Sequence, residues 1–294
     1  MNHDNEWSNQ QPQGEPQQGR GSGHNQQQDP WANQQPRQGQ QRQGKKRSKR
    51  GAGNLSSALG PGDTAAADAI PEERMSFLKR TYAWLTGAIF LCVAMMAVFF
   101  NSPYFEPVIS FMANTSWLLV LALFIGSSWI GDYMAHRIDS KGIQFIGMLV
   151  GVGSYAIVFG FLFYASGMVT IQGEATGAGG DVLIQAVMLT LAVFSALTAI
   201  VFVTKKDFSA LRTGLIVMSV LALGAIGAGS IFGFTLGLGF AVAMVGFSSA
   251  FIVYQTSNIL HHYPTDRHVG AALALFSSIG MLFWYLFMIL GMDG

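Results

Sequence analysis

The sequence predicts an all-α membrane protein, a seven-transmembrane-helix bundle preceded by a disordered N-terminal tail. Three observations carry this. From Lys79 to Leu290 the chain is almost unbroken apolar sequence, in stretches close to the roughly 20 helical residues that a hydrocarbon core of about 30 Å requires. Lys and Arg fall on every second break between these stretches. Residues 1–72, by contrast, are rich in Gln, Gly, Asn and Pro and nearly devoid of aliphatic residues.

The tail comes first. With so little apolar content it cannot bury enough surface to offset the entropy of ordering, and it lacks the apolar stretch of a signal peptide. Inside it lies Lys45-Lys46-Arg47-Ser48-Lys49-Arg50. This run reads first as a solvated charge cluster that reinforces the orientation of the chain. An anionic lipid contact is the next reading, with nucleic acid binding or targeting behind both.

The spans follow, at about 80–100, 116–135, 142–164, 181–203, 211–229, 234–260 and 269–290, each bounded by Pro, Gly, Asn or charged residues that end helices. Arg74, Lys79 and Arg80 precede the first span. Arg137 and Lys141 lie in the second connection, Lys205, Lys206 and Arg212 in the fourth, and Arg267 in the sixth. The odd connections carry only acids, Glu106 and Glu174. All 17 Lys and Arg residues thus fall on one side, which the retention of basic residues makes the cytoplasmic one. The N-terminus is expected in the cytoplasm and the C-terminus across the membrane.

Charged residues inside a membrane are costly and usually functional, and here they are scarce. Asp132 and His136 sit at the cytoplasmic end of the second span, and Asp181 opens the fourth. The single cysteine, Cys92, falls inside the first span as an apolar filler, which excludes an intramolecular disulfide. No zinc, phosphate-loop or nucleophile-turn motif is present, so no cofactor, metal or catalytic residue is assigned and an enzyme is not expected. His261, His262 and His268 read as solvated loop histidines rather than ligands.

Gly147 and Gly151, and the series Gly229, Gly233 and Gly237, read as small-residue faces for close helix packing, the second series also as a site for a kink. The most polar intramembrane run is Tyr254-Gln255-Thr256-Ser257-Asn258, near the cytoplasmic end of the sixth span. The short connection to the seventh span makes these two antiparallel neighbours. Gln255 and Asn258 share a face whose expected partner is Ser277-Ser278, either as interhelical polar glue or as the lining of a solvated vestibule.

These residues bring a resemblance into view. The run Phe77 to Thr86, the segment Thr204-Lys205-Lys206-Asp207-Phe208-Ser209-Ala210-Leu211, Tyr254 to Ile259, and Leu275 to Phe283 resemble the Bax inhibitor-1 (transmembrane Bax inhibitor motif) family, in order and across 74–290. The resemblance implies a central helix surrounded by the others, and a role in calcium leak, stress protection or modulation of membrane proteolysis. It also implies a pH sensor: two aspartates on the last two helices that share a proton because both cannot ionise together. This chain places Gln255 and Ser278 at those positions, and neither can titrate. A basic latch for the pair is implied at the end of the second span, where His136 and Arg137 stand.

Three function classes result. The first is a regulator of membrane homeostasis, stress response or membrane proteolysis, whose partners are other membrane proteins such as a protease. The second is a leak for calcium or another ion without the carboxylate sensor, with Tyr254, Gln255, Asn258, Ser277 and Ser278 as its lining. The third, an enzyme, ranks last. The expected location is a bacterial cytoplasmic membrane, with the lipid bilayer as the constant partner.

Overall fold

The computed structural model describes residues 71–137 and 140–292. The tail and its basic cluster lie outside the described residues. Eight helices follow: α1 Pro71–Phe100, α2 Phe105–Asn114, α3 Trp117–Ala135, α4 Lys141–Ala165, α5 Gly180–Thr204, α6 Leu211–Phe232, α7 Gly237–His261 and α8 His268–Met292. All but α2 are long and apolar enough to cross a membrane. In lipid every backbone N–H and C=O must be satisfied within the protein, which a continuous helix does by itself.

Two elements differ from the sequence expectation. The first helix begins at Pro71 rather than near residue 80. Proline suits a first helical turn, and Glu72 and Glu73 favour the positive end of the helix dipole. The first connection is not a simple loop but contains α2. Ten residues are too few to span, yet Phe105, Ile109 and Met112 recur at helical spacing and are buried together. Phe105 meets Phe99 and Phe100 of α1 edge-on at 5.0 and 5.3 Å. The connection between α4 and α5 folds as a small hairpin, with Thr170 N–H bonded to Glu174 O at 2.8 Å and Thr176 N–H to Met168 O at 2.9 Å. Its Gly173, at φ +86°, lies directly against the carbonyl of Phe100, where no side chain fits.

Because lipid tails are as apolar as leucine, close packing rather than burial from water holds such a bundle together. Helices α3 and α4 meet backbone to backbone. A Cβ on Gly131 would lie 2.6 Å from Gly151 N, and one on Gly147 would fall on the backbone of Ala135 and 2.7 Å from Gly131 O. Gly151 also receives Leu273 of α8. The second glycine series behaves otherwise. Gly233 closes α6 at φ +73° and Gly237 opens α7 at φ +61°, so they punctuate a turn between two helices and form no packing face or mid-span kink.

Helix α8 is the centre of the bundle, packed against α1, α3, α4, α5 and α7, with half of its span buried. An aromatic ladder joins it to α4: Tyr155 with Phe276 at 5.3 Å, Phe159 with Phe283 at 5.2 Å and Phe163 with Phe287 at 5.7 Å. Such pairs contribute about 0.5–1.5 kcal/mol each. Helix α6 is peripheral, resting mainly on α7. The up-and-down alternation gathers every Lys and Arg of the described residues at one end, here the basic end, and Glu106, Glu174 and Asp181 at the other.

Candidate functional site

The polar run of α7 comes to the basic end, and its members do different things. Ser257 Oγ accepts the N–H of Phe208 at 2.9 Å and faces Lys206 O at 3.4 Å. It therefore holds the Lys205–Ser209 segment against α7. That segment turns through Lys205, which is in the left-handed region at φ 51°. Asp207 completes the hold: Oδ1 accepts Ser209 N–H at 2.9 Å and Oδ2 lies 3.0 Å from His262 Nε2. Thr256 is fully buried, its hydroxyl beside Tyr82 on α1 and Thr198 on α5 with no two of the three in bonding geometry.

The Asp207 carboxyl is held below the ordinary carboxylate value, first by the Ser209 N–H and then by His262, against a smaller opposing effect of desolvation. A carboxyl lowered on folding contributes stability that is present above its unfolded value, near 4, and is lost as pH falls through its folded value. Acidification below about pH 4 should therefore loosen this loop. A cysteine at Lys206 in a Cys92→Ala background is expected to react faster with a thiol reagent in that range, after correction for thiolate fraction. The acid step should be absent in Asp207→Asn, and its persistence there would exclude Asp207 as the cause.

Gln255 Oε1 is buried and has no hydrogen-bond partner. Ser278 is buried at 3% exposure, and its hydroxyl donates to Ala274 O at 3.0 Å within its own helix. No hydrogen bond joins Gln255 to Ser278. The backbone carbonyl of Ser277 accepts the Tyr155 hydroxyl at 3.2 Å. Tyr254 turns towards α6, packing with Phe251 beside Leu215, and the Asn258 carbonyl closes the helix by accepting His262 and Tyr263 N–H.

His136, at the end of α3, reaches across to the α7–α8 connection. Its Nδ1 lies 2.8 Å from Asp132 O and its Nε2 3.0 Å from Tyr263 Oη. A carbonyl only accepts, so Nδ1 carries the proton in this contact and Nε2 accepts from Tyr263. Burial pushes the Tyr263 phenol well above its ordinary value, which keeps that donor in place. The ring rests on α8 at Gly270, where a Cβ would come within 2.8 Å of it. Arg137 turns back onto α3, its guanidinium bonded to the Tyr133 hydroxyl and 4.7 Å from that ring's centroid. Below lies a pocket of about 230 Å³ lined by His136, Asn258, His262, Tyr263, Pro264 and Arg267. Among the described residues no three His, Cys, Asp or Glu side chains converge to hold a metal ion.

Ser257, Asp207 and Tyr263 were not among the sequence-derived site residues. The Lys-Lys-Asp-Phe-Ser segment was the available signal, but nothing in a linear sequence says that it docks on a serine some 50 positions later.

Seven apolar helices around a buried central one, sealed at one end by polar cross-links between connections, define a polytopic helical membrane protein of the Bax inhibitor type. The chain belongs to the Bax inhibitor-1 family: residues 74–294 match the family described as Inhibitor of apoptosis-promoting Bax1. It is 31% identical over 237 residues to Bax inhibitor 1 of Schizosaccharomyces pombe, covering 78% of this chain and 81% of that one. It is 28% identical to a vaccinia virus Golgi anti-apoptotic protein, over 77% of this chain and 90% of the viral one. An uncharacterized protein of Pseudomonas aeruginosa is 34% identical over 49% of this chain and 64% of its own length.

Proposed function

We propose that this protein is a membrane-embedded regulator of membrane homeostasis or stress survival that acts through contacts with other membrane proteins, a membrane protease among them, and is not a pH-gated calcium leak. The observation that carries this is the pair Gln255 and Ser278, standing where the resemblance places titratable aspartates. Neither side chain ionises, and the Ser278 hydroxyl is occupied within its own helix. The names of the family and of the viral relative support a regulatory role. The reading also excludes an enzyme: Asp132 and His136 face the Tyr263 phenol, which burial keeps protonated, and not an activated nucleophile. A photoreactive side chain placed at the bilayer-facing positions Trp129, Ile184 or Ile216 is expected to give discrete protein adducts in native membranes. Adducts to lipid alone at all three would overturn the reading.

The basic end faces the cytoplasm in this account, in a bacterial cytoplasmic membrane, as the charge asymmetry and the bacterial relative support. The Gln/Gly-rich residues 1–72 then offer a cytoplasmic contact, and Lys45–Arg50 a hold on anionic headgroups of about 1 kcal/mol per basic residue. In a Cys92→Ala background, single cysteines at Lys141, Lys206 and His262 should react with an impermeant thiol reagent from the cytoplasmic side only. Cysteines at Glu106 and Glu174 should react from the opposite side only. Labelling of Lys206 and Glu174 from one face would exclude this orientation.

A further inference from the structure

The largest cavity lies away from the polar site, in the half of the bundle opposite the basic end, where peripheral α6 stands off from α3 and α8. Its volume is about 910 Å³, at the upper end of ligand pockets, which run from roughly 300 to 1,000 Å³. None of the side chains lining it is charged. Along α7 it runs from Gly237 to Phe247, about 15 Å at the helical rise, which is half of a hydrocarbon core of about 30 Å. The cavity is thus one leaflet deep. Ile125, Leu223 and Met288 belong both to its lining and to the exposed apolar surface, so it is continuous with the face the protein turns to the bilayer. At its mouth Ser230 and Thr235 supply hydroxyls. That end of the molecule carries Glu106, Glu174 and Asp181 and, among the described residues, no Lys or Arg.

We infer that this cavity binds an acyl chain of a phospholipid from the leaflet opposite the basic end, with a headgroup that carries no net negative charge. Depth selects a chain in one leaflet, the lining selects hydrocarbon, and the acidic surroundings disfavour an anionic headgroup. The chain fills the space between α6 and the central helix.

Trp117 and Trp284 line the cavity and stack on each other with centroids 6.2 Å apart, which gives an internal reporter. Trp7→Phe, Trp31→Phe, Trp84→Phe and Trp129→Phe together leave these two of the six tryptophans. The full-length protein in detergent is titrated with phosphatidylcholine brominated along its chains. Fluorescence quenching should saturate at low lipid-to-protein ratio, and brominated phosphatidylglycerol should quench less at the same ratio. Ala222→Phe and Ser219→Phe, which place a ring in the cavity from α6 without touching the reporters, should each abolish the saturable component while the protein stays monodisperse. Quenching that grows linearly with lipid fraction, or that is unchanged in both variants, would overturn the proposal. Equal or stronger quenching by phosphatidylglycerol would overturn the headgroup assignment.

Discussion

Replacing Gln255 and Ser278 together by aspartate is expected to confer a pH-dependent calcium flux that neither single replacement confers. Ile252 of α7 packs in one buried cluster with Leu282 and Leu286 of α8. Three residues onward on α7 and four back on α8 bring positions 255 and 278 to comparable depth on antiparallel helices. Two carboxyls so placed share a proton, since both cannot ionise together in a poorly solvated site. Deprotonation then supplies the charge and oxygen ligands that calcium requires and that glutamine and serine lack. A single aspartate has no second carboxyl to share with, so only the double variant should show the step. Two acids inside the apolar zone are costly, and expression and monodispersity must be established first. A well-folded double variant with flux that stays flat from pH 5 to 8 would show that the lost carboxyls are not what separates this chain from a gated leak.

Gly147→Val should be the most damaging single substitution in the bundle. The new side chain would fall on the backbone of Ala135 and within 2.7 Å of Gly131 O, and backbone cannot swing aside as a flexible side chain can. Overpacking of this kind costs about 1–3 kcal/mol or more, which lowers the melting temperature of a domain this size by roughly 2–12 °C. Separation of α3 from α4 also carries His136 away from Tyr263 and Gly270. Gly126→Val in the same helix is the control: nothing lies within 4 Å of its Cβ position, and its melting temperature should stay close to that of the wild type. Equal losses in the two variants would point to valine in a helix, not to the α3–α4 contact.

The fold was legible because the bilayer imposes one length and one secondary structure on every crossing. Apolar stretches and helix-ending residues therefore marked the seven spans without reference to their partners. Short helix α2 was missed because the search was for spanning length, although Phe105, Ile109 and Met112 carried a helical period. The two glycine series look alike in sequence, and only geometry separates Gly147, pressed against a neighbouring backbone, from Gly233, whose positive φ ends a helix. At the polar end, composition identified the run 254–258 as unusual. It could not show that Ser257 clamps the Lys205–Ser209 segment while Ser278 bonds back to Ala274, because the choice between a neighbouring helix and one's own carbonyl depends on rotamers and on the register of α7 against α8.

The account rests on Gln255 and Ser278 being neutral, and the most direct measurement is calcium flux through the wild-type protein in proteoliposomes between pH 5 and 8, beside the double aspartate variant. The wild type is predicted to show no titration step in this range, and whatever basal flux it carries should be indifferent to pH. A wild-type flux that switches with pH through a single protonation, and that survives Asp132→Asn and His136→Gln, would contradict the account.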